Sequence, residues 1–156
     1  MPSILFVCSA NQCRSPMAEV LFRQLLEEKG EIDDWRVESA GVWAYQGARA
    51  TQSAQVVMDE RGLNLEEHRS QPAEPALLKQ FDLIIVMEVE HKLVLSEQNS
   101  ELAGHILTLR QLVGESRNFD DPVGGSLEVY RQAAGEIYSL LDQAFPSIVS
   151  TIQSLN

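Results

Sequence analysis

Ile4-Leu5-Phe6-Val7, followed by Cys8-Ser9-Ala10-Asn11-Gln12-Cys13-Arg14-Ser15-Pro16, is the stretch from which the rest of the chain is read. The first four residues are apolar and β-rich, the pattern of a strand buried on both faces, placed over residues 3–8. Ser15 suits a helix N-cap and Pro16 the first helical turn, so a helix is expected to begin there. Between strand and helix lies a short loop that opens on a cysteine and closes on an arginine. Its backbone N–H groups and the positive end of the helix converge on one point, which suits an anion. Arg14 adds a planar fork that can hold two phosphoryl oxygens, a geometry lysine lacks. The same positive field suits a thiolate at Cys8, the attacking form of that side chain. Taken alone, a cysteine after a strand is more often a small core residue. The strand–loop–helix setting turns the pair into a phosphate cradle with a nucleophile at its floor.

Outward from this loop, strand-like and helix-like segments alternate. Met17, Val20, Leu21 and Leu25 recur at helical spacing over residues 16–29, and Gly30 ends that run. Residues 35–42 read as a second strand and 43–50 as a loop carrying Trp43 and Tyr45. A helix over 51–61 is capped by Thr51 and ended by Gly62. Residues 63–72 are irregular, 73–80 form a short helix, and Asp82 to Met87 supplies a third strand. A helix of about eight residues follows from Val89, and Ile106 to Leu109 is a short fourth strand. After a Gly-, Asp- and Pro-rich loop over 113–125, residues 126–154 make a long helix with one apolar stripe, which Pro146 is expected to break or kink. This alternation predicts an α/β fold, a single three-layer domain over residues 1–156 with a parallel sheet covered by helices on both faces. Ligands in such sheets bind beyond the carboxyl ends of the strands, where Cys8 lies.

Composition narrows the functional classes. The chain has 156 residues and a formal net charge of -11. That charge argues against nucleic acid, which is bound through Lys and Arg, and against an anionic membrane surface. It reads first as plain solubility, and second as a preference for basic sequence around a phosphorylated target. No apolar run is long enough to span a bilayer and no secretory signal is visible, so a cytoplasmic protein is expected; it is also expected to be a monomer. The two cysteines, Cys8 and Cys13, both lie in the loop. They make no structural disulfide framework, but a local reversible bridge between them would protect an oxidised Cys8. His68, His91 and His105 are scattered, and no metal-ligand spacing is present; neither metal nor cofactor is expected.

Thiolate attack on a phosphate ester leaves two proton transfers to arrange: one to the departing oxygen, one from the water that hydrolyses the intermediate. One carboxyl group can do both in turn. The pair Asp120-Asp121 before Pro122 offers two candidates, or simple turn chemistry. Proline confines the residue before it to extended backbone, which would fix where the Asp121 carboxyl points. Asn11 tolerates a left-handed backbone and can brace the loop. Ser15 can hydrogen-bond the Cys8 sulfur. Trp43 and Tyr45 can wall a cleft or pack elsewhere.

The chain resembles the low-molecular-weight protein tyrosine phosphatases. Val7-Cys8 through Arg14-Ser15-Pro16 carries the resemblance, followed by Ser39-Ala40-Gly41, His68-Arg69-Ser70, Asp82 to Met87, and Asp121-Pro122 with Tyr130. The stretch around Asp121 to Ser126 looks most like the bacterial branch, which includes protein arginine phosphatases. The resemblance implies a four-stranded sheet with the first strand in the middle. It implies Cys8 as nucleophile, Arg14 as phosphoryl ligand and Asp121 as general acid and then base. Residues Ser9 to Ser15 would bind phosphate, and Trp43, Tyr45 and Val123 would line the substrate cleft. A second cysteine just before the arginine, here Cys13, also belongs to that pattern. The expected activity is hydrolysis of phosphotyrosine in protein, with inorganic phosphate as product and inhibitor. Three positions depart from the family. Ala10 stands where glycine is usual, Gln12 where tyrosine-specific members have Ile and arginine phosphatases Thr, and Val123 where an aromatic residue is common. Rival readings are a protein arginine phosphatase with the same residues, a phosphate-binding module disabled at Ala10, and an arsenate reductase. The last needs further cysteines downstream, and none follows Cys13.

Overall fold

Strand β1 (Ser3–Cys8) is buried along its whole length and runs through the middle of the molecule. The structure, a computed structural model, describes residues 1–156. β1 lies between β2 (Arg36–Gly41) and β3 (Leu83–Val86), and β4 (Ile106–Thr108) completes a sheet in the order β2-β1-β3-β4. All three pairings are parallel. The predicted α/β class and the central position of the first strand are both found.

Alternation along β1 divides the core. Ile4, Phe6 and Cys8 face α1 (Arg14–Glu28) and α5 (Leu127–Leu155), while Leu5 and Val7 face α3 (Pro75–Leu78) and α4 (Val89–Gln98). The larger side is anchored by rings: Phe22 meets Phe6 at 5.6 Å and Trp35 at 5.4 Å between centroids. Truncating a buried phenylalanine in such a cluster typically costs about 3–5 kcal/mol. Helices therefore cover both faces, as the unbroken apolar strands require.

Two boundaries differ from expectation. Helix α1 begins at Arg14, not Pro16, and its N-cap is Cys13, with no capping side chain. Ser15 lies inside the first turn, and its hydroxyl is taken by Cys8 and Asn11 instead. Helix α5 runs unbroken through Pro146. Ala144 before it and Ile148 after it are both fully buried, so packing holds the two halves in line. Pro146 and Asp142 are on the exposed side, where the carbonyl that loses its N–H partner meets water. Thr51 caps α2 (Gln52–Glu60) as expected, its Oγ1 accepting from the Ala54 N–H at 3.3 Å.

The segment after β4 crosses the carboxyl edge of the sheet. The Phe119 N–H donates to the Met87 carbonyl at 3.0 Å. The buried Arg110 donates to the Asn118 carbonyl at 3.1 Å and pairs with Glu115 and Glu136. These contacts bring residues 119–123 over the end of β1. No helix is long and apolar enough to cross a membrane.

Candidate active site

Cys8 ends β1, and the chain then turns through a loop whose backbone is unusual at one point. Asn11 has φ 57°, the single positive value outside glycine. Asparagine bears this conformation because its side chain replaces lost backbone contacts. Asn11 is fully buried, and each of its groups has a partner. Its amide donates to Ser15 Oγ at 2.9 Å and to Ser39 Oγ at 3.0 Å. Its Oδ1 accepts the Gln71 N–H at 3.0 Å, and its carbonyl accepts from His68 Nε2 at 2.7 Å. Ser39 in turn donates to Glu19 at 2.7 Å. Both hydroxyls accept from Asn11, so each has its own hydrogen to give. Ser15 can give its hydrogen to Cys8 Sγ, 2.9 Å away. Burial raises the Glu19 pKa, while the Ser39 hydroxyl opposes that shift.

The loop is also clamped from outside. The N–H groups of Val42 and Trp43 donate to the carbonyls of Cys8 and Ser9, both at 2.9 Å. A Cβ at Gly41 would lie 2.7 Å from the Ser9 carbonyl and 2.9 Å from the Asn11 nitrogen, so only glycine permits this approach. The N–H groups of residues 9–13 donate to no protein acceptor. They form a row of free donors at the start of α1, the arrangement that receives an anion. Ala10 is exposed and has no positive φ, so the methyl group in place of glycine strains nothing.

A cleft of about 200 Å3 opens above this loop, lined by Cys8, Ser9, Ala10, Gln12, Cys13, Arg14, Thr51, Asp121 and Val123. The Arg14 side chain is only 2% exposed. It donates to the Phe119 carbonyl at 2.7 Å, and its NH2 group lies 2.8 Å from Glu88 and 3.6 Å from Asp121. Asp121 is 45% exposed, and its Oδ1 accepts the Val123 N–H. Asp120 does not line this cleft; it borders a neighbouring surface hollow with Arg117, to which Asp121 also contributes. Burial, with the negative charges of Asp121 and Cys8, pushes the Cys13 thiol up to about 12. Cys13 is therefore a thiol at neutral pH and a slow partner for any bridge to Cys8.

Several predicted site residues are placed elsewhere. Asn11 and Ser15 sit behind the cleft wall and brace it. Trp43, 52% exposed, sets its edge against His91, and Tyr45 is 86% exposed; neither lines the cleft. The close approach at Gly41 sends their segment past the outer side of the loop. Sequence reading missed Glu19, Thr51, Glu88 and His91. The only prior signal for Glu88 was its place just beyond the third apolar run.

Comparison with known proteins gives the family. A family model described as low molecular weight phosphotyrosine protein phosphatase matches residues 3–154. The chain belongs to this family. Among its phosphatase relatives is the protein-arginine-phosphatase of Bacillus subtilis, 37% identical over 141 residues, covering 90% of this chain and 92% of the relative. The low molecular weight protein-tyrosine-phosphatase PtpB of Staphylococcus epidermidis is 32% identical over 149 residues, with 90% and 94% covered. A solved structure of the arginine phosphatase YwlE, a mutant with a phosphorylated active-site serine, superposes with a TM-score of 0.89 at 32% identity and 99% coverage of both chains. As a member of this phosphatase family, the chain is a hydrolase of phosphoesters.

Proposed function

We propose that this phosphatase removes phosphoryl groups from protein, with phosphotyrosine as substrate, through a covalent intermediate on Cys8. The observation that carries the reading is the convergence of Cys8, Arg14 and Asp121 on one cleft floored by free N–H donors. The Cys8 thiolate attacks phosphorus as the bond to the leaving oxygen breaks, and Asp121 gives that oxygen its proton. Asp121 then takes a proton from the water that attacks phosphorus. The P–S bond breaks, Cys8 returns as thiolate, and inorganic phosphate leaves. Ser15 stabilises the sulfur as it departs. Arg14 and the loop N–H groups hold the equatorial oxygens, where charge is spread in the transition state. The cycle needs no cofactor, and the reading includes a monomer acting in the cytoplasm.

The test is phosphate release from a phosphotyrosine peptide under reducing conditions at mildly acidic pH, beside Cys8→Ser. Release by the wild type alone is expected, with phosphate binding kept in the variant. Sustained turnover by Cys8→Ser would overturn the mechanism.

A second reading, phosphoarginine as substrate, is favoured by one feature. No aromatic side chain lines the cleft, whose mouth is formed by Gln12, Thr51, Asp121 and Val123. A guanidinium leaving group is rich in donors and suits such acceptors. The arginine phosphatase named above is also a relative. Paired rates on phosphotyrosine and phosphoarginine peptides decide between the two.

A further inference from the structure

We propose that His91 is a positioning residue that makes the Ser9 hydroxyl a hydrogen-bond donor to the bound phosphoryl group. This rests on the reading of the cleft as a phosphoryl site. His91 is fully buried in the first turn of α4, 82 positions from Ser9 in sequence, and its ring reaches the loop from the side opposite α1. One ring nitrogen, Nδ1, faces the backbone N–H of Glu88 at 3.2 Å. A backbone amide can only donate, so Nδ1 accepts and the ring hydrogen sits on Nε2.

That hydrogen has one acceptor in good reach, Ser9 Oγ at 2.9 Å; the Glu88 carboxylate is 3.6 Å away. Ser9 Oγ therefore accepts from His91, and its own hydrogen points elsewhere. No other protein group bonds to that hydroxyl, and Ser9 lines the cleft beside Cys8. The hydrogen is thus free for an oxygen of the phosphoryl group. The two charged groups facing the ring, Glu88 and Arg14, are engaged with each other. Trp43 packs its edge on the ring, with centroids 5.8 Å apart, and keeps it from turning.

The same histidine also caps the start of α4 by accepting the Glu88 N–H, so a merely structural role must be told apart. Inhibition by inorganic phosphate separates the two, because a capping role alone changes stability and leaves phosphate affinity in the folded enzyme alone. Ser9→Ala should raise the phosphate inhibition constant and the KM for a phosphotyrosine peptide by roughly tenfold, as loss of a hydrogen bond to a charged group does. His91→Leu should do the same, and the double variant should be no worse than either single one. His91→Gln, which keeps an N–H near the Nε2 position, should recover part of the loss. Unchanged phosphate inhibition in Ser9→Ala would overturn the proposal, as would losses that simply add in the double variant. Should His91→Leu fail to fold, Ser9→Ala still decides, since that side chain borders the cleft. A wild type that releases no phosphate overturns the functional reading instead. Phosphate affinity of wild type and Ser9→Ala by calorimetry then still tests the role of Ser9.

Discussion

Asp121 is the residue on which the division of labour in the cleft is most easily measured. Its carboxyl lies 3.6 Å from Arg14 and it lines the cleft beside Cys8, which Asp120 does not. Asp121→Ala should slow hydrolysis by about 10²–10⁴-fold for esters with poor leaving groups. Activated aryl phosphates should suffer far less, because their oxygen leaves without a proton; equal losses on both would remove Asp121 from proton transfer. That Cys8, Arg14 and Asp121 would come together in one cleft could be anticipated because each announces itself locally, through a strand end, a helix start or a following proline. Glu88 and His91 could not, because they meet the loop from far along the chain, and Glu19 reaches it only through Ser39, 20 positions away. Spacing says nothing about such pairs until the sheet brings them together. Trp43 and Tyr45 misled for the opposite reason: aromatic side chains near a cleft suggest a wall, but a single glycine contact routes their segment outside it.

At the scale of the elements, the strands were legible because β1 and β3 are buried on both faces and read as unbroken apolar runs. The start of α1 was misplaced by two residues, since Ser15 looks like a cap and serves the sulfur instead. Gly41 joins β2 to the phosphate loop at distances no Cβ allows. Gly41→Ala should push the loop inward and reduce kcat/KM at least tenfold, about 1.4 kcal/mol in the transition state, with a lower urea midpoint. Normal kinetics in that variant would mean the loop tolerates displacement. In α5 the continuous helix around Pro146 leaves one carbonyl without its partner. Pro146→Ala should restore that hydrogen bond and raise stability, by about 1 kcal/mol out of the ~3 that an interior proline can cost. A lowered midpoint would show that the ring itself packs.

For the molecule as a whole, acid is the expected weakness. Burial, with the nearby Arg14 charge, lowers His91 from its usual value to about 4, against the attraction of Glu88. The unfolded chain, with an ordinary histidine near 6.5, binds more protons between those two values, so stability falls as pH drops from 6.5 towards 4. Glu19, raised by burial, acts in the opposite sense and loses stability as pH rises through its folded pKa. Urea unfolding at pH 4.5 should show roughly 2 kcal/mol less stability than at pH 7 on account of His91. A midpoint that does not move would mean that the ring takes up its proton without leaving its place.

The guanidinium of Arg14 also reaches the Phe119 carbonyl, two residues before the aspartate. Under the proposed mechanism, ligand grip and acid placement therefore have one shared hinge pin. Swapping it for lysine preserves the charge yet lets the strap swing loose, so one change at position 14 disables two steps at once. Decay of this enzyme by mutation would thus be abrupt rather than graded: there is no intermediate that still grips phosphate firmly and merely protonates badly for want of that arginine. Measured against a panel of leaving groups, Arg14→Lys should look like a double variant.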